Sequence, residues 1–164
     1  MTPVTPLLGF VLALALMIPG ADPDPEGYWL TEDENAVLRI QLCDEGICGS
    51  LYWMEEGDDL VDQENRDRSL RDRPLCGLQI LGGFEQDEDD PAEWRDGEVY
   101  APDDGRTWSA RVRVTGPDEL DLRGYRGISL LGRTQTWTRV DPDDYPACEA
   151  AGGSTGRSTV NVLP

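Results

Sequence analysis

The stretch Trp108-Ser109-Ala110-Arg111-Val112-Arg113-Val114-Thr115 decides the fold. Apolar and polar residues alternate along it, the period of two that marks a strand with one buried face. Gly116-Pro117-Asp118 breaks the run, and Leu120 and Leu122 then alternate with Asp121 and Arg123. That is a strand, a tight turn and a second strand. On the other side, Pro102-Asp103-Asp104-Gly105 places Pro early and Gly late, a turn that follows Glu98-Val99-Tyr100.

The same pattern continues outward. Leu38-Arg39-Ile40-Gln41-Leu42 alternates, and Leu51-Tyr52-Trp53, Gly77–Leu81, Tyr28-Trp29-Leu30 and the span Ser129 to Val140 read as further strands. No amphipathic helix of useful length interrupts them. About eight strands at short spacing predict an antiparallel meander, a sandwich or a barrel. Short links favour the up-and-down barrel, whose closure removes exposed edges. In a closed meander the first and last strands are neighbours, so Trp29 and Arg139 are expected to stack as a closure contact. Two long loops are expected, Glu55 to Pro74 and Glu85 to Asp96, both read as solvated. The barrel is placed at residues 22–140, and the tail 141–164 is read as disordered apart from any tether at Cys148.

The chain has 164 residues and carries 33 carboxylates against 14 basic residues, for a net charge of -19. Lys and His are both absent, so every basic residue is Arg. Such a surface repels phosphate and anionic headgroups, which excludes nucleic acid as a partner. Leu7 to Ile18 is an apolar run followed by Pro19-Gly20-Ala21. It is short for a membrane span and suits a signal peptide over residues 1–21, cleaved after Gly20 or Ala21. No Lys or Arg precedes the run, and an uncleaved anchor or buried helix is the competing reading. Export to the periplasm or beyond, with no membrane span after processing, is the resulting expectation.

The four cysteines agree with export, since an even count in an exported chain suggests disulfides. Cys43 and Cys48 flank a four-residue turn and can face each other across a hairpin. Cys76 and Cys148 then pair by elimination, unless Cys148 stays free or bridges molecules.

Motifs for chemistry are sparse. Gly152-Gly153-Ser154-Thr155-Gly156 fits a nucleophile elbow in letters only, because the strand–helix context and a His base are missing. Zinc lacks His ligands and a suitable cysteine spacing. Asp58, Asp59, Asp62, Glu64 and Asn65 supply the oxygens calcium prefers, but not in the order of an EF-hand loop. No metal, cofactor or catalytic residue is assigned. Arg71 and Arg73 bracket Asp72 and are expected to pair internally with the Asp-rich loop before them.

Taken together, the residues resemble a family of small exported bacterial proteins known as domain of unknown function 2147. The resemblance runs from Gly27-Tyr28-Trp29-Leu30 through Cys43, Cys48-Gly49, Asp62, Asn65, Arg71 and Arg73-Pro74-Leu75-Cys76-Gly77-Leu78. Trp94, Gly97, Tyr100, Pro102 and Gly105 follow, then Leu122-Arg123-Gly124-Tyr125 and Leu131 to Arg139. It departs at Arg66, where the family often has Pro, and at Arg106, where it often has Lys. It implies a periplasmic or secreted protein with a lipocalin-like barrel and implies no activity.

The leading expectation is therefore a binding module holding one small ligand at the barrel mouth. Its candidate lining is Trp53, Arg71, Arg73, Trp94, Tyr100, Arg123, Tyr125 and Trp137. An anionic or amphiphilic ligand follows where Arg71, Arg73 or Arg123 reach the cavity. A filled barrel with an exposed apolar patch points instead to an envelope interaction module. A carboxylate-based hydrolase requires two close carboxylates in a cleft, one with a raised pKa.

Overall fold

The computed structural model describes residues 23–44 and 46–149. It contains eight strands in chain order: β1 (Gly27–Leu30), β2 (Ala36–Cys43), β3 (Gly46–Met54), β4 (Gln79–Gln86), β5 (Glu93–Ala101), β6 (Arg106–Gly116), β7 (Glu119–Tyr125) and β8 (Arg133–Arg139). Each pairs antiparallel with its neighbours, and β8 returns to β1, so the sheet closes as a barrel. The short 3-10 turns Arg68–Leu70, Ser129–Leu131 and Pro142–Asp144 lie in connections or beyond β8. Among the described residues no helix is long and apolar enough to cross a membrane. The predicted signal segment lies outside the described residues, as does the Gly152–Gly156 motif.

The alternation read from the sequence builds the interior. Ala110, Val112 and Val114 of β6 are buried, and register places Val112 opposite Leu122 and Val114 opposite Leu120. Trp29, Trp94, Trp137, Phe84 and Leu38 join them in one core. Four bulky rings thus pack together with aliphatic side chains in the barrel interior.

One end is sealed by its own strands. Trp29 and Arg139 are register partners across the β1–β8 seam, and the guanidinium lies 4.2 Å from the indole centroid. Arg139 also donates from Nε to the Pro117 carbonyl at 2.8 Å and from Nη2 to the Asp24 carbonyl at 2.7 Å, and from Nη1 to the Glu26 carbonyl. A Cβ on Gly27 would run into that guanidinium, so the closure contact requires glycine there. The expected stack is present.

Several boundaries differ from the sequence reading. The loop expected from Glu85 to Asp96 shrinks to residues 87–92, because β4 runs to Gln86 and β5 starts at Glu93. Irregular register explains the difference: the β3–β4 pairing shifts near Leu81–Phe84, and β5 carries a bulge between Trp94 and Gly97, with Asp96 at φ 58°. Bulges interrupt the period of two on which the reading relied. The last strand begins at Arg133 and not at Ser129, since Ser129–Leu131 is a 3-10 turn set between Gly127 and Gly132.

The domain also extends beyond residue 140. Cys76 and Cys148 form a disulfide with Cα atoms 5.7 Å apart, and the Cys148 amide donates to the Tyr52 carbonyl at 2.8 Å. Tyr145 meets Trp53 edge-on at 5.0 Å. Residues 141–149 therefore belong to the barrel, correcting the boundary expected at residue 140. Cys43 and Cys48 are bonded as the hairpin suggested, with Cα atoms 5.9 Å apart.

Candidate functional site

The end opposite Arg139 is covered by the long β3–β4 connection, residues 55–78. This segment folds as a lid with an apolar underside: Leu60, Leu75, Cys76 and Leu78 pack against the core. Its two arms pair with each other, for Val61 bridges Pro74 and the Leu75 amide donates to the Leu60 carbonyl at 2.9 Å. The loop read as solvated is thus a structured cover, although much of its outer surface is exposed.

A polar cluster fastens the lid to β5. Asp62 is fully buried, an uncommon place for a carboxylate unless it is paired. Arg73 meets its Oδ2 from Nε and Nη2, each at 2.7 Å. Asn65 donates to Oδ2 at 2.7 Å and Tyr100 donates its hydroxyl to Oδ1 at 2.6 Å. Asn65 also donates to the Tyr100 oxygen at 2.9 Å, and the Arg73 guanidinium sits 5.2 Å from the Tyr100 ring centroid. Gly105, at φ 62° in the β5–β6 turn, lets the lid approach: a Cβ there would collide with the Glu64 carbonyl.

Burial alone would push the Asp62 carboxyl up, but the hydrogen bonds from Tyr100, Asn65 and Arg73 and the charge of Arg73 outweigh it, and its pKa lies below the ordinary value. The Tyr100 phenol moves up, through burial first and then through its bond to the Asp62 carboxylate. Both directions favour the arrangement seen, an ionised Asp62 accepting from a neutral phenol.

The expected ligand-lining residues do not converge on one cavity. Trp94 and Trp137 are buried core residues, and Trp53 carries Tyr145. Tyr125 is half-buried at the end of β7, with Gly132 closely packed beside it. Tyr100 and Arg73 do meet, but at Asp62, as the internal pairing of Arg73 with the Asp-rich loop anticipated. Arg71 donates to the Asn65 carbonyl at 2.8 Å. Arg123 donates to the Ser129 carbonyl from Nε at 2.9 Å and from Nη2 at 2.7 Å, and to Thr134 at 2.8 Å. Each of these three arginines is engaged by hydrogen bonds within the protein. Two depressions, about 570 and 580 Å3, border the Cys43–Cys48 hairpin and the Pro117 turn.

A second polar cluster escaped the sequence reading. Glu93, nearly buried at the start of β5, receives Arg113 at 2.9 Å, Arg95 at 3.1 Å and Arg111 at 3.4 Å. The alternation of β6 exposes Arg111 and Arg113 on one face, but nothing in the sequence says that a carboxylate from a neighbouring strand lies beneath them. Among the described residues no three His, Cys, Asp or Glu side chains converge as a metal site.

A closed eight-stranded antiparallel barrel with a stacked Trp–Arg seam and a lid over one end is a lipocalin-like architecture. The chain belongs to the family described as uncharacterized protein conserved in bacteria (DUF2147), whose model matches residues 27–139. Among solved structures it is similar to protein HP1028 from Helicobacter pylori, described as belonging to the lipocalin family, with TM-score 0.64 and 18% identity over 74% of this chain and 86% of that one. No curated protein sequence matches it.

Proposed function

We propose that this chain is an exported cell-envelope protein that takes a small ligand at the lidded end of its barrel. Bulky rings occupy the core, and the lid packs on it through Leu60, Leu75 and Leu78, so a ligand enters where the lid lifts from that core. One observation carries the reading. A loop over the mouth is anchored by a buried carboxylate paired with a partly exposed arginine, where apolar packing would be at least as stabilising. Such a latch can be opened by a competing charge or hydrogen-bond partner, which an aliphatic contact cannot. Lipocalin-like barrels offer binding sites at their mouths, and two disulfides suit an oxidising compartment.

Native mass spectrometry of the protein purified gently from a periplasm tests this, alongside Asp62→Asn. Extra mass on the wild type that denaturation removes, with altered occupancy in D62N, is the expected result. Bare protein in both samples, also after incubation with envelope extract, would sink the reading.

A second reading, an interaction module, is favoured by a specific feature: large aliphatic side chains stand exposed at one rim of a filled barrel.

A further inference from the structure

The seam between β1 and β8 closes only the part of the wall away from the lid. β1 stops at Leu30 and meets β8 at Trp29–Arg139 and Leu30–Thr138. Nearer the lid, Arg133 to Trp137 keep β7 as a partner on one side and have no strand on the other.

The alternation of hydrogen bonds identifies the backbone groups left over. The Val140 amide donates to the Tyr28 carbonyl at 2.9 Å, so bonded partners recur at Leu30–Thr138 and would recur next at residue 32 with Thr136. β1 does not continue that far. The chain turns off at Thr31, where the Glu34 amide donates back to the Thr31 carbonyl at 2.9 Å and Glu34 takes φ 55°. Thr134 and Thr136, both exposed, therefore present backbone N–H and C=O groups to the side that β1 has left. Among the described residues one partner reaches these groups: the Glu32 carboxylate accepts from the Thr136 amide at 2.9 Å. An exposed side chain thus stands where the carbonyl of a neighbouring strand would stand.

The surroundings of this edge are acidic. Strand direction brings the β1–β2, β3–β4, β5–β6 and β7–β8 connections to one end, and together they carry thirteen carboxylates and five arginines. The β1–β2 turn is the most one-sided, with Glu32, Asp33 and Glu34 all exposed and no basic residue. Arg133 stands 3.9 Å from Glu32 with most of its side chain in water, which compensates little. Arg123 is taken up by the Ser129 carbonyl and the Thr134 hydroxyl. Apolar surface adjoins as well, since Leu130 and Leu131, 83% and 78% exposed, immediately precede the edge in the chain.

We propose that the free edge of β8 accepts a basic, extended segment of a partner protein as an added strand. The backbone of that segment pairs with Thr134 and Thr136, and its carbonyl displaces Glu32 from the Thr136 amide. Its Lys or Arg side chains then meet the released carboxylate together with Asp33 and Glu34. Backbone pairing supplies affinity in this mode, and alternate side chains supply the choice of partner. The shortness of the edge and the carboxylate over it discourage pairing between copies of this chain, each of which is acidic there. The inference gives the interaction reading a surface and does not depend on a ligand beneath the lid.

The probe is a short amidated peptide of alternating Lys and Val, added to the isotope-labelled, disulfide-bonded protein at low salt. Saturable binding that slows hydrogen exchange of the Thr134 amide is the expected result. The same peptide N-methylated on the residues that face β8 keeps its charge and loses the backbone bonds, and its affinity should fall roughly tenfold or more. Asp33→Asn combined with Glu34→Gln weakens the unmodified peptide by about threefold. Thr134→Pro removes an amide that β7 does not use and weakens it roughly tenfold. Near-ultraviolet circular dichroism verifies that each variant folds, and the N-methylated peptide tests the native protein whatever the variants do. Equal affinity of the two peptides would reduce the interaction to charge attraction and overturn the proposal. Absence of binding at low salt, or protection confined to the lid or another strand, would overturn it as well. Dimerisation that protects the Thr134 amide without peptide would overturn it by giving the edge to a second copy.

Discussion

Arg139 and Arg73 hold opposite ends of the same barrel, each with its guanidinium over an aromatic ring, and their hydrogen-bond partners differ in kind. Arg139 is satisfied by the backbone carbonyls of Asp24, Glu26 and Pro117, none of which titrates. Arg73 is satisfied by a buried carboxylate that also depends on Tyr100 and Asn65. The contacts of Arg139 therefore involve no titrating acceptor, while those of Arg73 do. One architecture fastens both ends with arginine over an aromatic ring and changes only the acceptor.

The largest effect is expected at the seam. Trp29→Ala removes a fully buried ring and the platform of Arg139, and costs about 5 kcal/mol, measured as a fall in the guanidinium midpoint. Next comes the lid's covalent tether: replacing Cys76 and Cys148 by Ser frees a loop spanning 72 residues and costs about 4 kcal/mol, against about 2 for the short Cys43–Cys48 loop. Asp62→Asn removes the charge opposite a partly exposed Arg73 and costs about 2 kcal/mol. Hydrogen exchange in that variant should accelerate across residues 60–75 and stay unchanged across β1 and β8; equal acceleration at both ends would erase the contrast. Tyr100→Phe leaves one Asp62 oxygen without its donor, for about 1 kcal/mol in the same assay.

Acid is the mildest probe. Because the Asp62 pKa is lowered on folding, its contribution is fully present above the ordinary carboxylate range and disappears as pH falls through the folded value. Protection of the lid should therefore decline below about pH 4 while the Trp29 environment, followed by near-ultraviolet circular dichroism, persists. Simultaneous loss of both signals would show that the two ends are not separable.

The sequence exposed the closed end more fully than the lid. Alternation in Trp108–Thr115 requires a half-buried strand, and a closed meander makes its first and last strands neighbours, which brings Trp29 to Arg139. Cys43–Cys48 and the Arg73 pairing were also within reach, since hairpin geometry and excess nearby carboxylate constrain them, whereas Cys76–Cys148 followed only by elimination, with a free or intermolecular Cys148 left open. The lid was harder. Its Asp62 is one carboxylate among 33, and only three-dimensional packing marks it as the buried one. Gln79–Gln86 and Glu93–Ala101 lost their period of two to bulges, and Ser129-Leu130-Leu131 has strand-like composition while it folds as a 3-10 turn between Gly127 and Gly132. Trp53, Trp94 and Trp137 illustrate a general limit: an aromatic in a small barrel reads the same whether it lines a cavity or fills one.

The two disulfides also divide the molecule topologically. Cys76–Cys148 encloses β4 to β8 in one covalent ring, and Cys43–Cys48 ties a small ring in the β2–β3 hairpin. The lid is the single-chain bridge between these rings. A protease cut in the turns at 87–92 or 102–105 leaves one covalent molecule, whereas a cut between residues 55 and 74 yields two pieces joined only by sheet and core. The segment that covers the mouth is thus also the joint at which this barrel can be split and rebuilt from halves.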